Sequence, residues 1–278
     1  MGLGSDFLNG IDKWLTGHWF RIFLGFVSVG SFVVVWWAVA LYLHETGNVL
    51  WPYVPYPQDV LKAFFSSFVE PVPGPEVFMG QSIAASLGRV VLGFLLALAI
   101  ALPLGILMGM FRILEFLGMP TMELFRPIPP IAWVPVFMFA FRTLWGPVAI
   151  VFVGAFFPIL VSVMFGVKSV DPVLTDAARA LGANKRDLFR KVVLPFVAPY
   201  LMTGMKVGLG VAWMCIVAAE LIPVRGGGGL GYLIWVTSDL GEFSYTYAAM
   251  LMIGILSILT TGVAGLIEQK VYKWMGMK

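Results

Sequence analysis

From Ile83 to Phe111 the chain passes through a long apolar run in which only Arg89 carries a formal charge. About 20 apolar helical residues suffice to cross a hydrocarbon core. Inside that core every backbone N–H and C=O must be satisfied by the segment itself, which leaves helices or closed barrels. Apolar runs of this length favour the helix. Comparable runs lie at about Phe20–Leu43, Leu117–Phe141, Leu144–Val167, Pro195–Ile222 and Tyr245–Ile267. The expected fold class is an all-α integral membrane protein with six transmembrane helices. Composition agrees: 60% of residues are hydrophobic and 12% charged, against about 25% charged in soluble domains. Mean hydropathy is +0.92. The first run is long enough to span, so an uncleaved anchor is expected rather than a removable signal.

Basic residues collect on the cytoplasmic side of membrane proteins. With the N-terminus placed inside, that side holds Lys13, Arg21, Arg112, Lys168, Arg179, Lys185, Arg186, Arg190, Lys191, Lys270, Lys273 and Lys278. The outer loops hold Lys62, Arg142 and Arg225, and Arg89, Arg126 and Lys206 fall within spans. Both termini are therefore expected in the cytoplasm, in a plasma (inner) membrane. The net charge of +3 reflects this bias and gives no reason to expect nucleic acid as a partner. The lipid bilayer is the partner that composition demands.

Cys215 is the one cysteine, so no disulfide framework or cysteine metal site can form. His18 and His44 stand apart and suit an interface better than a metal, and no metal site is expected. Trp36, Trp37, Trp51 and Trp274 suit interfacial belts or packing. Met108, Met110, Met138, Met250 and Met252 suit packing or lipid contact. The outer loop His44–Ser82 is the longest, and its "WPYVPYPQDV" and "EPVPGPE" stretches argue against regular helix throughout. No internal repeat stands out.

The exception to this apolar pattern is "DAARALGANKRDLFRKVVLP", Asp176–Pro195. Asp171 reads as a helix N-cap followed by Pro172 at the first helical position. A helix over Val173–Leu181 would end at Gly182, which accepts a left-handed conformation. Asn184 reads as a second N-cap, with Asp187 completing an imperfect capping box. That second helix should reach Val193, and Pro195 should open the fifth span. By composition alone the segment could be a basic loop that only fixes topology.

Its spacing resembles the EAA loop of ABC-importer permeases, Glu-Ala-Ala, three residues, Gly, nine residues, Ile, one residue, Leu-Pro. Here Asp176 stands for Glu and Val192 for Ile, while Ala177, Ala178, Gly182, Leu194 and Pro195 match. "LFRPIPPIAWVPVFMFAF", "VAWMCIVAAELI" and "GGGGLGYLI" are similar to the nitrate/sulfonate/taurine/bicarbonate branch of that family. The resemblance covers the chain from about Ser82 onward. It implies a type I importer (MetI-like) fold, with a first span and long outer loop over 1–81, a five-helix core over 82–270 containing the loop 171–195, and a tail over 271–278. It also implies that Asp176, Ala177, Ala178, Arg179, Leu181, Gly182, Arg186, Val192, Leu194 and Pro195 couple the chain to an ATPase. The implied partners are a second permease copy, as a homodimer, two ABC ATPase subunits and an extracytoplasmic substrate-binding protein.

No G-x-x-x-x-G-K-[ST] pattern occurs in the chain. ATP and Mg are therefore expected in the partner ATPase, with no cofactor bound here and no catalytic residues. Gly226–Gly231 satisfies G-x-G-x-x-G, but no strand precedes it in a βαβ setting, and a flexible outer loop is the better reading. Charges at membrane depth normally face a cavity or a partner. Arg126, followed by Pro127, Pro129 and Pro130, and Lys206 could give a translocation path a potential that favours an anion. Glu220 lies near the outer end of its span and joins them as a path residue. The alternative for these charges is an intramembrane salt bridge or a packing role. Arg89 is expected to reach the interface. The branch implies a small oxyanion as substrate: nitrate or nitrite, a sulfonate or taurine, or bicarbonate. A pyrimidine-type vitamin precursor is the alternative cargo. A secondary transporter or channel would leave the full EAA spacing without a reason. A membrane enzyme would need a His cluster or paired acids, and neither is present.

Overall fold

The structure, a computed structural model, describes residues 18–222 and 228–275. Its elements are helical: α1 (His18–Glu45), α2 (Pro57–Val69), α3 (Met79–Met110), α4 (Arg112–Phe125), α5 (Val134–Lys168), α6 (Pro172–Ala180), α7 (Lys185–Leu188), α8 (Leu194–Glu220), α9 (Leu230–Asp239) and α10 (Phe243–Trp274). Among the described residues the one β feature is an isolated bridge between Val72 and Val77. Five helices are long and apolar enough to cross a membrane, or six if one bent pair of helices counts as a single span.

The bent pair occupies the expected third span and explains its prolines. Helix α4 ends at Phe125, and a 3-10 turn over Pro130–Trp133 follows. The segments Arg112–Phe125 and Pro130–Phe141 meet at 82°. Pro127, Pro129 and Pro130 have no amide hydrogen to continue a helical ladder. The turn is held instead by Ile128 N–H donating to Phe125 O and Ala132 N–H to Pro129 O.

Helical backbone then continues from Val134 to Lys168, yet the chain reverses within it. A Cβ on Gly146 would lie 3.1 Å from Phe137 O and 3.2 Å from Met138 Cα. Eight residues of straight helix would separate those positions by about 12 Å. The last residues of the expected third span and the whole of the fourth are thus two arms of a hairpin within α5. The reversal is possible where Gly146 offers no side chain to the returning arm.

The core is a three-helix unit of α3, α5 and α8. Without a hydrophobic drive between helices in lipid, close approach through small residues holds such a unit together. A Cβ on Gly93 would lie 2.7 Å from Val148 O, and one on Gly105 2.9 Å from Leu160 O, so α3 presses backbone to backbone on α5. Gly204 of α8 sits as tightly on α5, 2.8 Å from Ser162 Cβ and 3.1 Å from Ile159 Cα by the same measure. Ala97, Ala101, Ala155, Ile159 and Val163 are fully buried between these helices. Helix α10 closes one side, with Trp213 Nε1–H donating to Thr260 Oγ1 at 2.9 Å.

As its prolines imply, the long outer loop is regular helix only in part, with α2 set between irregular ends. Two segments differ from the sequence reading. The stretch after the glycine run forms α9, docked on α10 by a 2.8 Å Thr237–Thr246 hydroxyl pair. The span opened by Pro195 begins earlier, because α7 runs through a π turn (Phe189–Val193) into α8 without a break. Helix α1 stands outside the core, with Phe26 75% and Phe32 66% exposed.

Candidate functional site

The charged segment is a short helix, a bend and a second helix, held by its own side chains. Asp171 caps α6 by accepting from Val173 N–H at 2.8 Å, with Pro172 at the first helical position. Gly182 adopts φ +86°, the left-handed geometry that stops the helix. Asn184 Oδ1 accepts from both Arg186 N–H and Asp187 N–H at 3.0 Å. Asp187 pairs with Lys191 at 2.9 Å, and its carboxylate also accepts from the Asn184 backbone N–H, the return bond of a capping box. Arg179 pairs with Asp176 at 3.2 Å, one turn along the same helix.

This segment projects from the end of the bundle. Ala177, Arg179, Gly182 and Arg186 are exposed, and Ala178 is half-buried. Leu181 is 89% exposed and Val173 69%. With Leu174, 49% exposed, they leave several apolar side chains of the segment uncovered. Val192, Leu194 and Pro195 lie where the segment joins α8: Val192 and Pro195 are half-buried and Leu188 is buried, while Leu194 is exposed.

The second site is a cavity of about 360 Å³ at the bend between α4 and α5. Arg126, Ile128 and Pro130 line it from the bend. Phe157, Pro158 and Ser162 line it from the middle of α5, and Val207 and Val211 from the middle of α8. The irregular backbone therefore lies level with the centre of the bundle. Among the lining residues Arg126 alone is charged. Among the described residues no carboxylate is paired with it.

Lys206 and Glu220 line no part of this cavity. Lys206 is ion-paired with Glu268 of α10, which also accepts from Tyr272 Oη–H at 3.2 Å. Glu220 accepts from Arg89 Nη1–H at 2.6 Å, Ser86 Oγ–H at 2.7 Å and Gly231 N–H at 3.1 Å. For both residues the salt-bridge alternative describes the geometry.

Arg89 corrects the expectation of an interfacial side chain. It is buried and donates to Gly228 O as well as to Glu220. Ser86 Oγ accepts from Leu230 N–H at 2.8 Å. Residues 228–231 are thus clamped between α3 and α8, which corrects the reading of Gly226–Gly231 as a flexible loop over that part. Gly226 and Gly227 lie outside the described residues. Sequence reading missed Ser86 altogether. Its signal was the i, i+3 placement of Ser86 and Arg89 on one face of an apolar helix.

Residues 101–273 match the family model described as binding-protein-dependent transport system inner membrane component. The chain belongs to this family of ABC-importer permeases. A putative ABC transporter permease protein of Methanocaldococcus jannaschii is 41% identical over 88% of the chain and 89% of its own length. Taurine transport system permease protein TauC of Escherichia coli K12 is 34% identical, over 84% and 82%. Nitrate import permease protein NrtB of Leptolyngbya laminosa is 33% identical, over 77% and 78%.

A solved structure of the MetNI methionine ABC transporter in an inward-facing conformation aligns with TM-score 0.55 and 19% identity. It covers 72% of this chain and 99% of that one, and it shows that the permease has the MetI-like fold. The matched family region takes in the exposed helix α6, Arg126, Lys206 and Glu220. The permease is a transport component of an inner membrane, close in sequence to nitrate and taurine permeases.

Proposed function

We propose that this permease forms half of the path by which a small oxyanion enters the cell: nitrate or nitrite, a sulfonate such as taurine, or bicarbonate. The observation that carries this reading is Arg126. It presents the sole charge of a mid-depth cavity, with no carboxylate paired to it among the described residues. Arg126 is exposed, so an anion can reach it, and a cation held at membrane depth attracts an anion more strongly than it would in bulk water. Similarity to nitrate and taurine permeases supports the same cargo class.

The basic end of the bundle, where α6 projects, faces the cytoplasm in this reading, and both termini lie there. The end of helix α6 from Asp176 onward, with Leu181 just beyond it, docks in a cleft of a separate ATPase, with Arg179 and Arg186 as rim contacts. Val192, Leu194 and Pro195 transmit its motion into α8. Two copies of the chain, two ATPases and an external binding protein make the assembly. ATP with Mg closes the ATPases, which swing the permeases from inward-open to outward-open, and hydrolysis resets them. The permease performs no covalent step. Residues 82–270 act as the moving core, while 1–81 adds an anchor.

The test is ATP hydrolysis by the reconstituted complex with its ATPase and binding protein, comparing nitrate, bicarbonate, taurine and an alkanesulfonate. Stimulation by one of them names the cargo. If the complex assembles and none stimulates, the oxyanion assignment fails. If no ATPase subunit binds, the role of α6 fails.

A further inference from the structure

Helix α1 does not pack closely on the core, and the space it leaves has a graded character. An apolar cavity of about 510 Å³ runs between α1 and α10, lined by Trp36 and Val39 on one side and Tyr247 and Leu251 on the other. Trp36 stacks on Tyr247 at 5.7 Å and forms its floor. A second cavity of about 340 Å³ continues it toward the end of the bundle opposite α6, and Val54 lines both. Here the lining changes to Trp51, Tyr56, Phe243, His44, Asp59 and Glu242. His44 holds Trp51 and Tyr56 edge to face at 5.1 and 5.8 Å.

One groove thus changes from mostly apolar to aromatic and acidic along the length of α1. Its mouth carries two carboxylates. Lys62 reaches Asp59 at 3.6 Å, but its side chain is 79% exposed, and a pair so hydrated neutralises Asp59 only weakly. Aromatic faces beside carboxylates select an ammonium group. An apolar furrow leading away from that group selects an acyl chain.

We propose that the groove between α1 and α10 is a binding site for one phospholipid whose headgroup ends in an ammonium. The acyl chain lies over Trp36, Tyr247 and Leu251. The ammonium sits among Trp51, Tyr56, Asp59 and Glu242. The lipid fills the space that a tightly packed helix pair would close, and so fastens α1 to the core.

The probe is native mass spectrometry of the full-length chain from micelles containing phosphatidylethanolamine and phosphatidylglycerol with identical acyl chains. A single retained phosphatidylethanolamine, preferred roughly tenfold as expected for a desolvated cation on aromatic and acidic groups, is the expected result. Equal retention of the two lipids overturns the proposal, and this comparison needs no variant. Asp59→Asn with Glu242→Gln should erase the preference while a lipid is still retained. Leu251→Trp, which fills the furrow, should abolish retention of either lipid. An unchanged preference in the first variant, or unchanged retention in the second, overturns the site. Disulfide crosslinking of two Phe32→Cys chains in membranes would mean that a second copy covers the groove, and would also overturn it.

Discussion

Glu220 and Arg89 lie 131 positions apart in sequence and 2.6 Å apart in space. Their side chains are 1% and 10% exposed. The pair joins α3 to α8 and, through Gly228 O, Leu230 N–H and Gly231 N–H, fixes the chain that leads into α9. A buried pair is a modest stabiliser as a whole, but removing one partner strands the other charge. Glu220→Ala should therefore destabilise the permease by about 3–5 kcal/mol, read as a lower unfolding midpoint in detergent. Adding Arg89→Met should recover part of that loss, because contacting residues are not additive. A double variant as unstable as the sum of the singles would dismiss the clamp.

Helix α6 should fail as a handle without failing as a helix. Leu181→Asp places a charge on a side chain that is 89% exposed, so permease stability should move by less than about 0.5 kcal/mol. Pull-down of the ATPase by the variant should drop at least tenfold. Retained assembly would show that the ATPase grips another surface.

Gly204 should tolerate no larger residue. Gly204→Val drives atoms into Ser162 and the Ile159 backbone, and overpacking of this kind costs about 1–3 kcal/mol. Reduced yield of folded permease on size-exclusion chromatography is the expected readout, and Gly210→Val, where nothing lies within 4 Å, is the control that should behave normally.

Arg126 and Lys206 should separate in function. Arg126→Gln should depress uptake and substrate-stimulated ATP hydrolysis by tenfold or more at normal expression. Lys206→Met breaks the pair with Glu268, so it should lower the unfolding midpoint while the order of preference among anions stays the same. Normal uptake by Arg126→Gln would remove it from the path.

The spans and the local chemistry of α6 were legible because each depends on neighbours in sequence. An N-cap needs Asp171 and the amide two residues on, and a left-handed stop needs Gly182 alone. The prolines after Arg126 likewise announced a broken span. Local residues could not say where a charge would find its partner. Lys206 and Arg126 look alike in sequence, each a cation in an apolar run, and only the approach of α10 gives Lys206 its Glu268. The same holds for Ser86, Arg89 and Glu220, which become one network when glycine contacts bring α3 and α8 against α5. Hydrocarbon sets which segments are helical, since it leaves the backbone no other satisfied state. Packing between the helices decides which charges are neutralised and which one faces the cavity.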